Sequence, residues 1–369
     1  MSLARLMATT WQRNLLVTVL VELTYRCNLD CFFCYNDVAL AGEPLRREQY
    51  FELFAELRDL EVLHLTLSGG EPLAHPDFLA LGARARELGF AVRIKSNGHA
   101  LRGELARRVR DEVDPFLIEI SLHGATAATH DRQTRVPGSF ERLLANLAGL
   151  RALGLRVKLN STLTAWNETE IAGMFALADS LGLPLQVDPE VTPRDDGGRE
   201  PLTVAASREG VLGLFRLQAE RARAMEAADA PGAPAMAIGS RGADENVPAP
   251  TGKHCGAGSS GLAIDPYGNV YPCVQWRRPV GNLHSQSLRE IWRGSAGLEE
   301  VRDLTVRARE LMEAQGPGAS LLNFCPGMAA VHSEGDPLRI YPSAVQRKEL
   351  LETMLEEEAA RRPLLPVIS

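Results

Sequence analysis

The sequence predicts an α/β fold in which parallel strands are joined by right-handed helical crossovers, followed by a smaller appendage. Three observations predict it. Short apolar runs alternate with longer amphipathic ones through the first two-thirds of the chain, the pattern of a parallel sheet covered by helices. The 369 residues, 45% hydrophobic and 24% charged, can bury a large core. At roughly 150 residues per domain they suggest two domains or one large domain with an addition. The alternation then breaks at a stretch rich in Ala, Pro and Gly, where Pro231, Pro234, Pro248 and Pro250 disfavour both helix and central strand.

The elements can be taken in order. Residues 15–23 read as a strand and 46–59 as a helix. Strand 62–67 precedes helix 76–88, strand 91–96 precedes helix 103–112, and strand 116–121 precedes a helix around 139–153. Strand 155–163, helix 168–181, strand 185–187 and a helix around 207–228 complete six β/α steps. Periodicity alone leaves open whether they form a partial barrel or a doubly wound sheet. Past the break, 261–271 reads as a hairpin with Pro266 and Gly268 in its turn. A short helix at 287–292 and an amphipathic one at 344–361 follow, the latter with Glu356, Glu357 and Glu358 on a solvated face. The expected organisation is 1–228, a linker or mobile loop at 229–253, a second domain at 254–335, and a terminal helix and tail at 336–369.

The formal charge of −7 argues against broad, salt-driven nucleic-acid binding. No apolar run approaches the ~18 residues of a membrane span, and no signal peptide is legible. A cytoplasmic protein is expected, with six cysteines acting as free thiols or metal ligands. About fourteen residues precede the first strand, too few for a peptide-binding domain of their own.

Chemistry concentrates after the first strand. Cys27-x3-Cys31-x2-Cys34 occupies one short loop at a strand's carboxyl end, where parallel α/β folds gather functional side chains. Three thiolates there supply three metal corners, and neither flank offers a fourth. A structural zinc site normally fills four positions, and the spacing is not that of paired C-x2-C knuckles. An iron–sulfur cluster with one open iron suits the triplet better, with zinc or plain buried thiols as alternatives.

The segment Thr24-Tyr25-Arg26-Cys27-Asn28-Leu29-Asp30-Cys31-Phe32-Phe33-Cys34-Tyr35 resembles the radical S-adenosylmethionine (SAM) superfamily, with Phe33 in the aromatic slot. Ser68-Gly69-Gly70-Glu71-Pro72 resembles that family's GGE motif. The resemblance implies a partial (β/α)6 TIM-like barrel and a [4Fe–4S] cluster held by Cys27, Cys31 and Cys34. It also implies that SAM chelates the fourth iron. Phe33, Tyr35, Gly69, Gly70, Glu71, Ser96, Asn97, Ser121, Asn160 and Arg194 are then the candidate cofactor-facing residues. Ser96, Asn97 and Ser121 also read as ordinary capping or turn residues. Residues 130–140 resemble a helix-start segment of these enzymes, but Arg135 stands where glycine is frequent. In the family, one electron from the reduced cluster splits SAM to a 5′-deoxyadenosyl radical that abstracts substrate hydrogen. A flavodoxin- or ferredoxin-type donor would supply that electron.

The span from Cys255 through Gly268 to Cys273, followed by Gly281-Asn282-Leu283 and 287–292, resembles the SPASM and twitch auxiliary-cluster extensions. Cys325 is the expected third ligand of an auxiliary [4Fe–4S] cluster. The further cysteines of the full SPASM pattern are missing. The fourth ligand stays open among His254, Asp265, His284, a substrate group and an exchangeable ligand. Zinc on three cysteines plus His254, or a vestigial site, are the alternatives. The resemblance implies a ribosomally made peptide as substrate, crosslinked or oxidised, with a separate leader-recognition protein as a potential partner. A small-molecule dehydrogenase or cofactor-biosynthesis enzyme is the alternative, and a non-catalytic metal protein the least favoured. No catalytic acid or base is singled out.

Overall fold

The fold is given by a computed structural model that describes residues 3–227 and 252–361. Helix α1 (Leu3–Arg13) leads into β1 (Thr18–Thr24). Five further strand and helix pairs follow. They are α2 (Arg47–Asp59) and β2 (His64–Gly69), α3 (Phe78–Glu87) and β3 (Ala91–Ser96), and α4 (Gly103–Arg108) and β4 (Leu117–Ser121). Helices α5 (Ala127–Thr134) and α6 (Ser139–Ala152) then lead to β5 (Val157–Thr162), and α7 (Ile171–Ser180) to β6 (Leu185–Asp188) and α8 (Arg208–Ala227). Strands β1 to β6 pair in sequence order, all parallel. The six expected steps therefore form one sheet with successive crossovers, the strand order of a barrel rather than of a doubly wound sheet.

Alternation along the strands sets the two faces. Val19, Val21, Leu65, Leu67, Val92, Ile94, Ile118, Ile120, Leu159 and Val187 are buried, and with Leu53, Phe54, Leu81, Leu143 and Met174 from the helices they form the main core. The intervening residues are polar: Glu22, Ser68, Arg93, Lys95, Glu119, Ser121, Lys158, Asn160, Gln186 and Asp188. Because side chains alternate with period two, these line the opposite, inner face. Lys95 and Arg93 ion-pair there with Glu119, which also accepts from Asn160 Nδ2.

The expected hairpin is present as β7 (Gly261–Ile264) and β8 (Asn269–Tyr271), with β9 (Gly281–Asn282) pairing onto it. It does not form a separate sheet. Strand β7 pairs in parallel with β1, Thr18 opposite Gly261, so one nine-stranded sheet runs from β6 through β1 to β9. Helices α9 (Leu288–Gly294), α10 (Ala296–Ala314), α11 (Pro326–His332) and α12 (Pro342–Arg361) cover this end and return to the barrel.

The structure departs from the sequence reading, or refines it, in four places. Helix α1 was not expected; its end is fixed by Lys253 Nζ, which donates to Trp11 O at 3.0 Å and to Asn14 Oδ1. Helix α5, whose second half falls in the segment that resembles a helix start, begins earlier and is capped by Thr126. The expected helix 103–112 narrows to α4 and continues as a wider π turn, Val109–Val113. Of the expected linker, residues 229–251 lie outside the described residues, whereas Lys253 is an anchor.

Candidate active site

The first cysteine loop is tied down at both ends by backbone. Strand β1 bulges between Glu22 and Thr24, immediately before the loop. The GGE segment then packs directly on it: Gly70 N donates to Thr24 O at 2.7 Å and Glu71 N to Arg26 O at 2.9 Å. This approach requires glycine. Gly69 has φ +126°, and a Cβ there would sit 2.3 Å from Thr24 O. On the far side, Asp30 N and Phe32 N donate to the carbonyls of Thr134 and Gln133 at the end of α5. Arg135 closes that helix in the left-handed conformation, φ 56°, ion-pairs with Asp30 at 3.0 Å and stacks over Phe32. The left-handed geometry explains why glycine suits this position.

Polar residues at the strand ends join the same rim. The Glu71 carboxylate is buried and accepts from Ser96 Oγ at 2.9 Å, Asn97 N at 2.8 Å and Leu73 N at 3.1 Å. It therefore holds the end of β3 in place with its side chain. Asn97 Nδ2 in turn reaches Asn28 Oδ1 at 2.8 Å and Cys27 Sγ at 3.7 Å. Phe33 packs edge-on against His123 at 4.8 Å, and His123 stacks on His130. Burial pushes the pKa of His123 down to about 3 and that of His130 to about 4, so both rings are neutral at pH 7. Ser121 lies opposite Asn160 in register, on the inner face. Thus Phe33, Gly69, Gly70, Glu71, Ser96 and Asn97 meet the cysteine loop, while Ser121 and Asn160 stand at the neighbouring strands. The Arg194 guanidinium pairs within its own loop, with Glu200 at 3.2 Å and Asp196 at 3.7 Å, while the N–H of the next residue, Asp195, bonds the Tyr35 carbonyl just past the cysteine loop.

The donor set fits a cationic cluster. All six cysteines are free thiols. Burial pushes the Cys31 thiol pKa well up, and Cys34 and Cys27 push it further, which places the three thiols within electrostatic reach of one another. Burial likewise raises Cys27 and Cys34. Three crowded thiols with raised pKa values ionise together only when a metal centre compensates their charge. Among the described residues no group of three or more His, Cys, Asp and Glu side chains is drawn together tightly enough to hold a single metal ion.

The second cysteine group is assembled from three elements. Cys255 and Cys273 pack beside buried Trp276, Val301 and Leu304, and Cys325 caps the start of α11. Burial, then Cys273, then Cys255 push Cys325 up to about 12, so this thiol too is near the other two. Helix α11 comes this close because Gly327 lacks a side chain; a Cβ there would lie 2.5 Å from the Gln275 carbonyl oxygen. Two of the three protein candidates for a fourth ligand, His284 and Asp265, are engaged elsewhere. Both ring nitrogens of His284 have partners in Gln49 and Glu43. His254 differs: its Nε2 bonds the Phe324 carbonyl at 2.8 Å, the kind of contact that holds a metal-ligating histidine through its second nitrogen. Asp265 accepts from Tyr267 N, Asn269 N, Asn269 Nδ2 and Tyr271 Oη, fixing the hairpin turn.

One buried ion cluster, with no signal in any local sequence pattern, links the two groups. Arg277, four residues after Cys273, donates to both oxygens of Glu22 at 2.6 and 2.9 Å. Its Nε lies 2.9 Å from Asp195, whose own N–H bonds the Tyr35 carbonyl. Glu22 is fully buried and Arg277 nearly so. The guanidinium thereby grips both flanks of the first cysteine loop. Tyr35 joins the site through this clamp. Burial, with Glu22 competing for the same cation, raises Asp195 to about 7.

Residues 21–178 match the family model of the Radical SAM superfamily, and residues 255–314 match SPASM, an iron–sulfur cluster-binding domain. The chain is 31% identical to the pre-heme d1 synthase of Dinoroseobacter shibae, covering 86% of this chain and 83% of that one. It is also 31% identical to the mycofactocin maturase MftC of Mycobacterium ulcerans, over 86% of this chain and 84% of the relative. Among solved structures, Streptococcus suis SuiB superposes with a TM-score of 0.67 at 15% identity, covering 90% of this chain and 77% of SuiB. SuiB has also been solved bound to its precursor peptide SuiA. That likeness shows the shared fold.

Proposed function

We propose a substrate class for a chain that belongs to the radical SAM superfamily and carries a C-terminal SPASM-type domain. It is an enzyme of that class, with a [4Fe–4S] cluster, SAM and an auxiliary iron–sulfur cluster as cofactors. Our reading is that it crosslinks or oxidises a ribosomally made peptide. The observation that carries it is the arrangement of two thiol groups on one sheet, joined by the Arg277 clamp, in a chain similar to a maturase.

Cys27, Cys31 and Cys34 would hold the SAM-binding cluster, and Cys255, Cys273 and Cys325 the auxiliary one. When bound, the first cluster and SAM supply the electron and the 5′-deoxyadenosyl radical that takes hydrogen from an unactivated C–H bond. This chain's residues do the rest. Gly69 and Gly70 bring backbone against the cysteine loop, Glu71 fixes Ser96 and Asn97, and Asn97 steadies Cys27. Phe33 packs edge-on against His123 and fixes the loop's aromatic side chain to the end of the fourth strand. With Asp265 and His284 engaged, His254, a substrate group and an exchangeable ligand are the candidates for the fourth position of the auxiliary site.

A flavodoxin- or ferredoxin-type donor and a separate leader-recognition protein complete this reading, which places the enzyme in the reducing cytoplasm. Among the described residues no helix is long and apolar enough to cross a membrane. The test is anaerobic incubation with SAM, reductant and peptides encoded beside the gene, read by mass spectrometry. A mass loss of two hydrogens with matching 5′-deoxyadenosine supports it; 5′-deoxyadenosine with every such peptide unchanged sinks it. The equal identity to a pre-heme d1 synthase favours a second reading, a small-molecule cofactor-biosynthesis substrate.

A further inference from the structure

A cleft of about 500 Å³ opens where the last barrel strand meets the C-terminal helices. Its walls are apolar, with Val191, Leu202, Val211 and Ile340 among them. Its charge is not balanced. Arg199, Arg339 and Arg347 line it against a single carboxylate, Glu190. That carboxylate is already taken by Arg347 and by Ser343 Oγ at 2.5 Å. Arg199 and Arg339 are exposed and have no carboxylate partner among the described residues.

Two buried nitrogens face the same cleft. Arg347 Nε has no hydrogen-bond partner and His332 Nε2 only Glu190 Oε1 at 3.9 Å, beyond hydrogen-bond reach, although their side chains are only 7% and 9% exposed. Buried polar atoms in native folds are normally paired, so these two leave room for a ligand. Cationic donors over apolar walls suit a carboxylate carried on an apolar group.

The cleft lies beside the end of the last barrel strand and close to the second cysteine group. Glu190 follows β6 by two residues, and Arg347 is within electrostatic reach of Asp188 at the end of that strand. On the other side His332 stacks flat on Tyr341, 5.0 Å and 3° apart, and Tyr341 belongs to the apolar cluster against which Cys325 packs.

We propose that this cleft is a carboxylate subsite that seats an apolar residue bearing a free carboxylate, such as the C-terminal end of a peptide. As a subsite of the substrate it rests on the peptide reading above. The test is isothermal titration calorimetry of the anaerobically reconstituted full chain with N-acetyl-leucyl-leucine and with its C-terminal amide. The acid is expected to bind at least about tenfold more tightly than the amide, in line with a lost charge-assisted pair. In Arg199→Ala/Arg339→Ala that preference should vanish, and in Arg199→Lys/Arg339→Lys part of it should return. Thermal melting checks that both variants are folded. Equal binding of acid and amide, binding of neither, or an undiminished preference in the alanine variant overturns the subsite. If no peptide is ever modified while the acid preference and its loss stand, the peptide reading falls and the subsite remains.

Discussion

The two cysteine sites differ in how they are built. The first lies within eight residues, and its neighbours hold it through backbone hydrogen bonds from the GGE segment and α5. The second draws Cys255, Cys273 and Cys325 from a loop, a hairpin end and a helix start. A local site tolerates strain elsewhere because its spacing is written in one loop. A distributed site exists only when the tertiary packing is right. Arg277 belongs to the second region and grips the first, so the local site is not wholly independent.

The largest expected effect isolates the first site. Cys27→Ala/Cys31→Ala/Cys34→Ala should lower 5′-deoxyadenosine formation by about a thousandfold or more, since an unbound cofactor supplies no chemistry. Retained SAM cleavage in reconstituted variant protein would refute the assignment of this loop. Cys273→Ala sharpens the contrast. Product formation should fall at least about tenfold while uncoupled SAM cleavage changes by less than about threefold, if the second cluster serves substrate. Equal loss of both would make the second site structural.

The clamp tests the link between the regions. Arg277→Met leaves Glu22 and Asp195 buried with no cation, which should cost about 3–5 kcal/mol and lower the melting temperature of the whole barrel. A melting curve in which only the auxiliary region loosens would show that the clamp is local. Gly69→Ala forces a side chain onto the Thr24 carbonyl at a positive φ, with an expected loss of about 2 kcal/mol or more and poor cluster loading. Wild-type loading in that variant would break the account of the GGE contact.

The last effect is titratable, and it is the smallest only when counted per ring. His123 and His130 have folded pKa values of about 3 and 4, below the ordinary 6.5. The unfolded chain therefore binds more protons between pH 6.5 and 4, and stability present at neutral pH is lost as pH falls. At pH 5 the loss should approach about 2 kcal/mol per ring. Chemical denaturation at pH 7 and 5 reads it, and His130→Gln should flatten the acid limb. An unchanged midpoint in the wild type would mean that the rings are not held neutral.

Much of this was legible before any fold was known. The Cys27–Cys34 spacing and Gly69-Gly70-Glu71 lie in single loops, and the Asp265–Gly268 turn of the hairpin is a short-range signal. Helix α1 was not, because its anchoring contact comes from Lys253, some 240 positions away. Nor was Gly327, whose need for no side chain appears only against Gln275.

The sequence by itself determined the alternating parallel architecture, the three-thiol loop and the identity of the candidate ligands, because periodicity and spacing are properties of neighbours along the chain. Only the tertiary structure decided that the hairpin continues the barrel sheet beside β1, that Cys325 joins Cys273, and that Arg277 reaches Glu22. It also decided that two candidate fourth ligands, Asp265 and His284, are already bonded and that the Arg194 guanidinium pairs within its own loop. Those outcomes depend on which distant surfaces pack together and which buried charges must find partners, and no short-range pattern encodes either.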